Sequence, residues 1–252
     1  MKSNGYAAFA RFYDRLTADV DYAGAAAYLL SLFRLHGKMP ESLLDLACGS
    51  GSLALELARR GVDVTGADGS EDMLSLAQEK AREAGKSLLF LHQDMRQLDL
   101  YGTVSGAVCT LDSLNHILHT GELSEIFRRL HLFVEPAGLL VFDANTPYKH
   151  RRILADNDFV YEEPEFTCVW RNHYLPRTGE VDMLLDFFVE EADGRYRRLT
   201  DHVRERAYSR RTWEQLLLSN GFQPLAVYGE GSVEAPSPDC QRWVFVARNT
   251  PH

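Results

Sequence analysis

The feature that most constrains the fold is a strict alternation of short apolar segments with amphipathic segments between residues 42 and 145. The apolar segments, which predict strands, are 42–47, 62–68, 88–94, 104–111 and 138–145. The amphipathic segments, which predict helices, are 52–60, 70–84 and 122–133. Strands that are apolar on both faces and alternate with helices are typical of a parallel sheet with helices on both faces. We therefore predict an α/β fold of the Rossmann-like kind.

The pattern changes after the fifth predicted strand. Residues 166–174, 181–190 and 196–208 alternate with a period of two, and hairpin chemistry separates them at 176–179 and at Asp193-Gly194. This pattern predicts an antiparallel, three-stranded β insertion within residues 159–208.

The last segment returns to the core. Ser209 is expected to cap a helix that runs to Ser219 and ends at Asn220-Gly221. Residues 224–229 and 242–248 then predict two strands that are too close in sequence for a helical crossover. We expect a terminal antiparallel hairpin at the edge of a seven-stranded sheet.

Four segments follow from these patterns. Residues 1–40 contain helical patterning with aromatic residues and are interpreted as an N-terminal helical cap. The remaining segments are a nucleotide-binding core at 41–150, the insertion at 159–208 and the return to the core at 209–252.

Composition limits the classes of function. The 252 residues carry a formal net charge of −9, which argues against a protein that mainly grips a phosphate backbone. The sequence lacks an apolar run of membrane-span length and a signal-peptide pattern, so we expect a cytoplasmic protein without a membrane partner. The four cysteines are scattered, which predicts neither a metal site nor a disulfide framework.

The most informative motif is Asp45-x-Ala47-x-Gly49-x-Gly51, at a predicted strand-to-helix turn. Glycines let the backbone approach a ligand, and the helix N-terminus adds free N–H groups. Asp68 ends the next strand, where a ribose diol would lie. The same glycine motif also fits the pattern of a dinucleotide-binding loop. The Asp45 carboxylate, however, would repel a pyrophosphate, whereas it would attract an ammonium group. The preceding helical segment and the terminal hairpin also argue against an NAD-binding domain.

The chain resembles the class I S-adenosylmethionine (SAM)-dependent methyltransferases over nearly its whole length. The glycine motif resembles their motif I, and Gly66-Ala67-Asp68-Gly69-Ser70-x-x-Met73-Leu74 resembles their second motif. Three further segments resemble the regions after strands three and four and around strand five: Gln93-Asp94-Met95, Leu111-Asp112-Ser113-Leu114-Asn115 and Pro136-x-Gly138-Leu139-Leu140-Val141-Phe142-Asp143. The N-terminal segment Tyr6-x-x-Phe9-Ala10-x-x-Tyr13-Asp14-x-Leu16 is similar to the same group. Ala47 and Ala137 depart from its commonest glycines.

The resemblance implies SAM as cofactor and assigns residues to it. Asp45 would lie near the methionine amino group, Asp68 would accept both ribose hydroxyls, and Asp94 would accept the adenine amine with Met95 against the ring. Tyr6, Phe9 and Tyr13 are candidates for covering the cofactor near its sulfonium. The complete implied set is Tyr13, Asp45, Ala47, Cys48, Gly49, Gly51, Asp68, Gly69, Met73, Asp94, Met95, Leu111 and Asp112.

Residues for the acceptor are assigned by their place after strand four or in the insertion. The candidate catalytic residues are His116, Tyr13 and Tyr208, although a histidine after a strand is often only a surface residue and methyl transfer can proceed by positioning alone. The candidate acceptor-binding residues are Asn115, Trp170, Arg206 and Tyr208. The inward face of the insertion, with Arg206, would favour a neutral or anionic small molecule.

The sequence leaves four functions open. The first is a methyltransferase that acts on nitrogen or oxygen of a small molecule by in-line displacement. The alternatives are a methyltransferase for RNA or protein, an NAD(P)-dependent oxidoreductase, and a SAM-binding module without catalysis. The expected assembly is a monomer or a homodimer.

Overall fold

The structure is a computed structural model that describes residues 7–251, with side chains described at Ala10 and from Phe12 onward. Tyr6 and the side chain of Phe9, both candidates for covering the cofactor, lie outside the described residues. The strands in chain order are β1 (Ser42–Leu46), β2 (Asp63–Asp68), β3 (Leu89–His92), β4 (Val104–Cys109), β5 (Val134–Asn145), β6 (Asp158–Glu163), β7 (Phe166–Leu175), β8 (Glu180–Glu190), β9 (Tyr196–Arg206), β10 (Phe222–Gly229) and β11 (Arg242–Asn249).

The helices alternate with the strands of the first half of the chain. The α-helices are α1 (Ala7–Leu16), α2 (Tyr22–His36), α3 (Ser52–Arg59), α4 (Glu71–Glu83), α5 (Thr120–Phe133) and α6 (Arg210–Ser219). Short 3-10 turns follow β3 at Met95–Gln97 and β4 at Ser113–His116. A π-helix, Lys149–Leu154, follows β5.

Seven strands form the central sheet in the order β3-β2-β1-β4-β5-β11-β10. Strands β1 to β5 are parallel, while β11 runs antiparallel to both β5 and β10. This topology confirms the predicted Rossmann-like sheet with its terminal antiparallel hairpin. Because β1 to β5 are parallel, their carboxyl ends share one edge, where ligands bind in open α/β sheets.

Two helical layers cover the sheet. Leu29, Leu32 and Phe33 of α2 pack with α3 in one buried cluster, and Ile126 and Phe127 of α5 pack with α6 in the other. Helix α2, which lies in the predicted N-terminal helical cap, is therefore part of a layer that covers the sheet.

The insertion has four strands, in the order β6-β7-β8-β9, and all adjacent pairs are antiparallel. The prediction of three strands was wrong because β6 was missed. Its residues are mostly exposed or half-buried, so it lacks the strong apolar alternation that identifies a strand. The inner face of the insertion forms a third core around Phe166, Phe187 and Val189, against which Phe12 of α1 packs.

Trp213 is the largest fully buried side chain and lies where α6 meets the sheet. Its ring contacts those of Phe127, Phe142, Tyr208 and Phe245. Replacing it with alanine would leave a large cavity in a packed core.

We predict that Trp213→Ala lowers the free energy of unfolding by about 3–5 kcal/mol. Leu218→Ala, on the same helix at a side chain that is 56% exposed, is the matched control and should change it by less than about 0.5 kcal/mol. Urea denaturation of both variants measures the difference. Equal effects of the two substitutions would show that α6 does not pack as described.

Candidate active site

The glycine motif forms the turn between β1 and α3. Gly49 and Gly51 have φ values of +53° and +73°, a region that residues with a Cβ rarely adopt. A Cβ on Gly51 would lie 2.8 Å from the Cβ of Ala77, so this glycine also allows α3 and α4 to pack closely. Ala47 has φ +58° in the same turn, which is strained for a non-glycine residue.

The Asp45 carboxyl group lies beneath this turn and is 2% exposed. Its Oδ2 atom has no hydrogen-bond partner within the described part of the chain. Burial, reinforced by the neighbouring Asp68 carboxylate, raises the pKa of Asp45 to about 7. An unpaired buried carboxylate is costly, and a bound cation would offset that cost.

A cleft opens above Asp45 at the carboxyl edge of the sheet. Ten residues line it: Tyr13, Tyr22, Asp45, Ala47, Cys48, Ser50, Ser52, Thr110, Leu111 and Ser113. A hydrogen bond joins the side chains of Tyr13 and Tyr22, and burial raises the pKa of both hydroxyl groups. Both rings are therefore neutral at physiological pH and present a hydrogen-bonded, partly aromatic wall.

Helix α1 is held at the cleft by three consecutive residues that point in different directions. Phe12 packs against Phe166 and Phe187 of the insertion. Tyr13 faces the glycine turn, with its ring 3.8 Å from the place that a Cβ of Gly49 would occupy. Asp14 accepts hydrogen bonds of 2.6 Å from the Ser50 hydroxyl and from Lys80. Helix α1 therefore links the insertion, the cleft and the glycine turn.

The opposite wall of the cleft is the turn after β4. Leu111 and Asp112 both have φ +53°, two consecutive non-glycine residues in the left-handed region. The Asp143 carboxylate holds this conformation by accepting hydrogen bonds from the backbone N–H groups of Leu111 (2.9 Å) and Asp112 (2.6 Å). Strained backbone that is fixed from below is characteristic of functional sites.

Arg242 neutralises the acidic groups below this turn. Its guanidinium lies 2.6 Å from Asp112 and 3.5 Å from Asp143, and its side chain is 11% exposed. Burial opposes ionisation of Asp112, but the charge of Arg242 outweighs it and lowers the Asp112 pKa to about 2. Burial raises the Asp143 pKa to about 6 despite the same arginine. Asp112 therefore stays ionised at the edge of the cleft.

Another buried carboxylate, Glu205 of β9, lies beside the turn after β4. Its oxygens are 3.8 Å from Nε2 of His116 and 3.3 Å from Nε2 of His150, and it accepts a 2.9 Å hydrogen bond from the Asn145 amide. The His116 side chain is about one-third exposed, so it reaches solvent while Glu205 orients its ring. A histidine held by a carboxylate can accept a proton and be stabilised as its cation.

Residues assigned to the ribose and adenine lie along the ends of β2 and β3. Asp68 accepts hydrogen bonds from the backbone N–H groups of Gly49 (2.9 Å) and Ser70 (2.8 Å), so it fixes the glycine turn. A Cβ added at Gly69 would have no described atom within 4 Å. Met73 is buried in α4. Asp94 caps the following 3-10 turn and pairs with Arg96, which lowers the Asp94 pKa. Met95 packs against the core.

Three side chains predicted to bind the acceptor are occupied by internal contacts. Asn115 is fully buried, and its amide oxygen and nitrogen bond to the backbone of Asn145 and Arg206. Arg206 donates to the Leu118 carbonyl, and the Tyr208 hydroxyl donates to the Ile117 carbonyl. These contacts fix the turn after β4, and the acceptor-binding role of Asn115, Arg206 and Tyr208 and the catalytic role of Tyr208 stay predictions.

Trp170 also lies in a different environment from the one expected. Its indole N–H donates to Asn172, and its ring contacts Phe159 and Tyr161 of β6. Strand β8 separates its strand from β9, which is the strand that contacts the turn after β4. Sequence alternation gives the face of a strand but not its position within the sheet, and the acceptor contact of Trp170 stays a prediction.

Several residues of the site were missed by sequence reasoning. Arg242, Asn145 and Glu205 lie in strands, where alternation alone suggests ordinary sheet positions. Tyr22 begins α2 directly after the Asp21 cap, and only the fold brings it to Tyr13. Asp143 directly follows the apolar run Leu139–Phe142 within the fifth predicted strand, and this position was the available signal.

The described residues contain no group of three or more histidine, cysteine or acidic side chains arranged to hold a metal ion. Within residues 7–251, no helix combines the length and the apolar character that a membrane span requires.

Comparisons with known proteins find methyltransferases. Residues 43–138 match the methyltransferase domain family. A protein of Geobacillus sp. (strain WCH70) that bears the general name methyltransferase is 32% identical, over 96% of this chain and 99% of the relative. The dTDP-3-amino-3,6-dideoxy-alpha-D-glucopyranose N,N-dimethyltransferase of Streptomyces fradiae is 34% identical, over 49% of this chain and 47% of its own. The structure of an S-adenosylmethionine-dependent methyltransferase from Clostridium acetobutylicum has a TM-score of 0.87 at 28% identity, covering 98% of this chain and 100% of that one.

The chain is therefore a member of the SAM-dependent methyltransferases with the class I fold. This confirms the family, the enzyme class and the cofactor that the sequence predicted. The buried Asp45 carboxyl group, with one oxygen unpaired in the described structure, has the chemistry to accept from an ammonium group such as that of the methionine moiety.

The raised pKa of Asp45 gives a prediction for stability. The folded protein binds a proton at Asp45 more tightly than the unfolded chain, in which the pKa is near its ordinary value of 3.8. Proton binding at Asp45 therefore stabilises the folded protein. This stabilisation is complete below pH 3.8 and is lost as the pH rises through about 7.

We therefore expect Asp45→Asn to raise the free energy of unfolding of the cofactor-free protein relative to wild type at pH 8. This difference between variant and wild type should be larger at pH 8 than at pH 4 by on the order of 2–4 kcal/mol. Urea denaturation at both pH values measures this difference. The exposed Asp63→Asn at the start of β2 is the control and should show no such change. A stability difference for Asp45→Asn that does not vary with pH would contradict the assignment.

Proposed function

We propose that this methyltransferase transfers the methyl group of SAM to a nitrogen or oxygen atom of a small molecule by in-line displacement. The observation that carries the proposal is the Asp45 carboxyl group, which is buried under the cleft with one oxygen unpaired. An ammonium ion supplied by the cofactor would satisfy that oxygen, whereas the phosphates of a dinucleotide would be repelled.

The chain's own residues would hold the cofactor along the edge from β1 to β3. Asp45 would bind the methionine ammonium, and Asp68 would bind the ribose hydroxyls with the acceptor capacity that Gly49 and Ser70 leave free. Asp94 and Met95 would lie at the adenine, where Arg96 shares the Asp94 carboxylate. When bound, SAM supplies an electrophilic methyl group to the cleft.

The size of the acceptor is inferred from what surrounds the cleft. Helix α1 lies at the glycine turn on one side, and β9 contacts the turn after β4 on the other. Such a site suits a small molecule better than a polymer, and the net charge of −9 disfavours RNA. The Streptomyces fradiae relative acts, by its name, on the amino group of a nucleotide sugar, which supports a nitrogen acceptor.

His116 is our candidate for removing a proton from the acceptor. An amine is protonated at neutral pH and has no free electron pair for the methyl carbon until that proton leaves. The Glu205 carboxylate near His116 would stabilise the imidazolium that results. Tyr13 would act by packing near the reacting atoms, since burial keeps its hydroxyl neutral.

A role on RNA or protein, and binding of SAM without catalysis, are the outcomes that would replace this proposal. The cytoplasmic location and the monomeric or dimeric state stay predictions from the sequence. Incubation with methyl-labelled SAM and separate panels of small amines, small hydroxyl compounds, RNA and protein distinguishes the acceptor classes. Label on RNA or protein alone would contradict the proposal.

The ribose assignment gives a binding prediction. Asp68→Ala should weaken SAM affinity by about 1.5–3 kcal/mol for each hydrogen bond lost, as measured by isothermal titration calorimetry. Asp63→Ala is the matched control, because Asp63 lies at the exposed opposite end of the same strand. An unchanged affinity in Asp68→Ala would exclude the ribose contact.

The histidine assignment gives a kinetic prediction. Once an acceptor is found, His116→Ala should lower kcat by roughly 10²–10⁴-fold with SAM affinity unchanged, because only proton removal is lost. His119→Ala removes an exposed histidine three residues away and serves as control. If both variants retain wild-type kcat, transfer at this site proceeds without His116.

A further inference from the structure

A separate cavity of about 640 Å³ lies between the core and the insertion. Tyr148, Arg151 and Arg152 line it from the segment after β5, Tyr174 from β7, and Pro238 and Asp239 from the loop between β10 and β11. None of these residues was selected by the sequence analysis, and none lines the cleft above Asp45.

The two arginines are presented by an unusual backbone. They lie in the π-helix Lys149–Leu154, a conformation that is rare and concentrated at functional sites. The helix ends at Ala155, which has φ +36°, a strained value for a residue with a Cβ. The fold therefore maintains a locally costly conformation where the arginines enter the cavity.

Within residues 7–251, no carboxylate forms an ion pair with either of these arginines. Arg151 donates a hydrogen bond to the Pro147 carbonyl. By contrast, Arg242 lies near three carboxylates in the same region. Two exposed arginine side chains that line the same cavity in an acidic protein suit a doubly charged anion.

A chain of hydrogen bonds runs from the π-helix to the edge of the cleft. Lys149, at the start of the π-helix, donates a 2.9 Å hydrogen bond to the Asn145 side chain. Asn145 in turn donates a 2.7 Å hydrogen bond to Asp112 at the edge of the cleft. These hydrogen bonds therefore connect the start of the π-helix that carries the two arginines with the edge of the sheet near His116.

We propose that this cavity binds a phosphate or diphosphate group of the methyl acceptor. The proposal rests on the proposed function, because the cavity would be the outer half of the acceptor site. Arg151 and Arg152 would donate to the phosphate oxygens, and the rings of Tyr148 and Tyr174 would flank the attached group. Asp239, whose carboxylate accepts from the Ser237 hydroxyl, would accept from hydroxyl groups rather than contact the anion.

The test uses pyrophosphate and phosphate as probes, titrated by calorimetry into the 252-residue protein saturated with S-adenosylhomocysteine. We expect saturable pyrophosphate binding that weakens by at least about tenfold in the Arg151→Gln/Arg152→Gln double variant. Arg211→Gln, which removes an exposed charge on α6, should leave it unchanged. Malonate serves as the dicarboxylate probe and should bind more weakly than pyrophosphate.

The proposal would be overturned by no saturable pyrophosphate binding, by equal binding in the double variant, or by the same loss in Arg211→Gln. Tighter binding of malonate would replace phosphate by a carboxylate acceptor and would also overturn it. Binding of S-adenosylhomocysteine is measured separately in every variant and should be unchanged. Its absence from the wild-type protein would contradict the proposed function instead, so the two failures are distinguishable.

Discussion

Four aspartates meet at one edge of the sheet, and the site is organised by how each is neutralised. Asp45, Asp68, Asp112 and Asp143 lie at or just after the ends of β1, β2, β4 and β5. Burial and mutual repulsion both disfavour their charges. Asp112 and Asp143 share Arg242, and Asp68 accepts two backbone N–H groups. Asp45 keeps an unpaired oxygen within the described structure, so its charge is left for a ligand to neutralise.

The antiparallel direction of β11 makes this arrangement possible. A strand that runs against β5 begins where β5 ends, so Arg242, the first residue of β11, reaches the acidic edge. A parallel strand would bring its first residue to the opposite edge. The same loop that leads into Arg242 also carries Pro238 and Asp239 to the second cavity. The direction of β11 therefore determines both where Arg242 neutralises the aspartates and where Pro238 and Asp239 line the second cavity.

The sequence predicted what depends on local pattern and was less informative about contacts between distant segments. Parallel strands, the terminal hairpin and the glycine turn follow from periodicity and turn chemistry. The positive φ values of Ala47 and Ala137, which are not glycines, do not follow from either. The partners of Arg206 and Tyr208 could not be predicted, because the carbonyl groups they bind are about ninety residues away in the chain. The π-helix after β5 carries no period that distinguishes it from an ordinary turn.

The central claim is that the Asp45 carboxyl group becomes ionised when the ammonium of SAM binds. At about pH 6, a group with a pKa of about 7 is mostly protonated in the free protein, so its ionisation must release a proton. Calorimetric titration of SAM in buffers of different ionisation enthalpy measures that proton directly. The account predicts release of nearly one proton per SAM by the wild-type protein and none by Asp45→Asn. Binding of SAM with no net proton release, or the same release in both proteins, would contradict it.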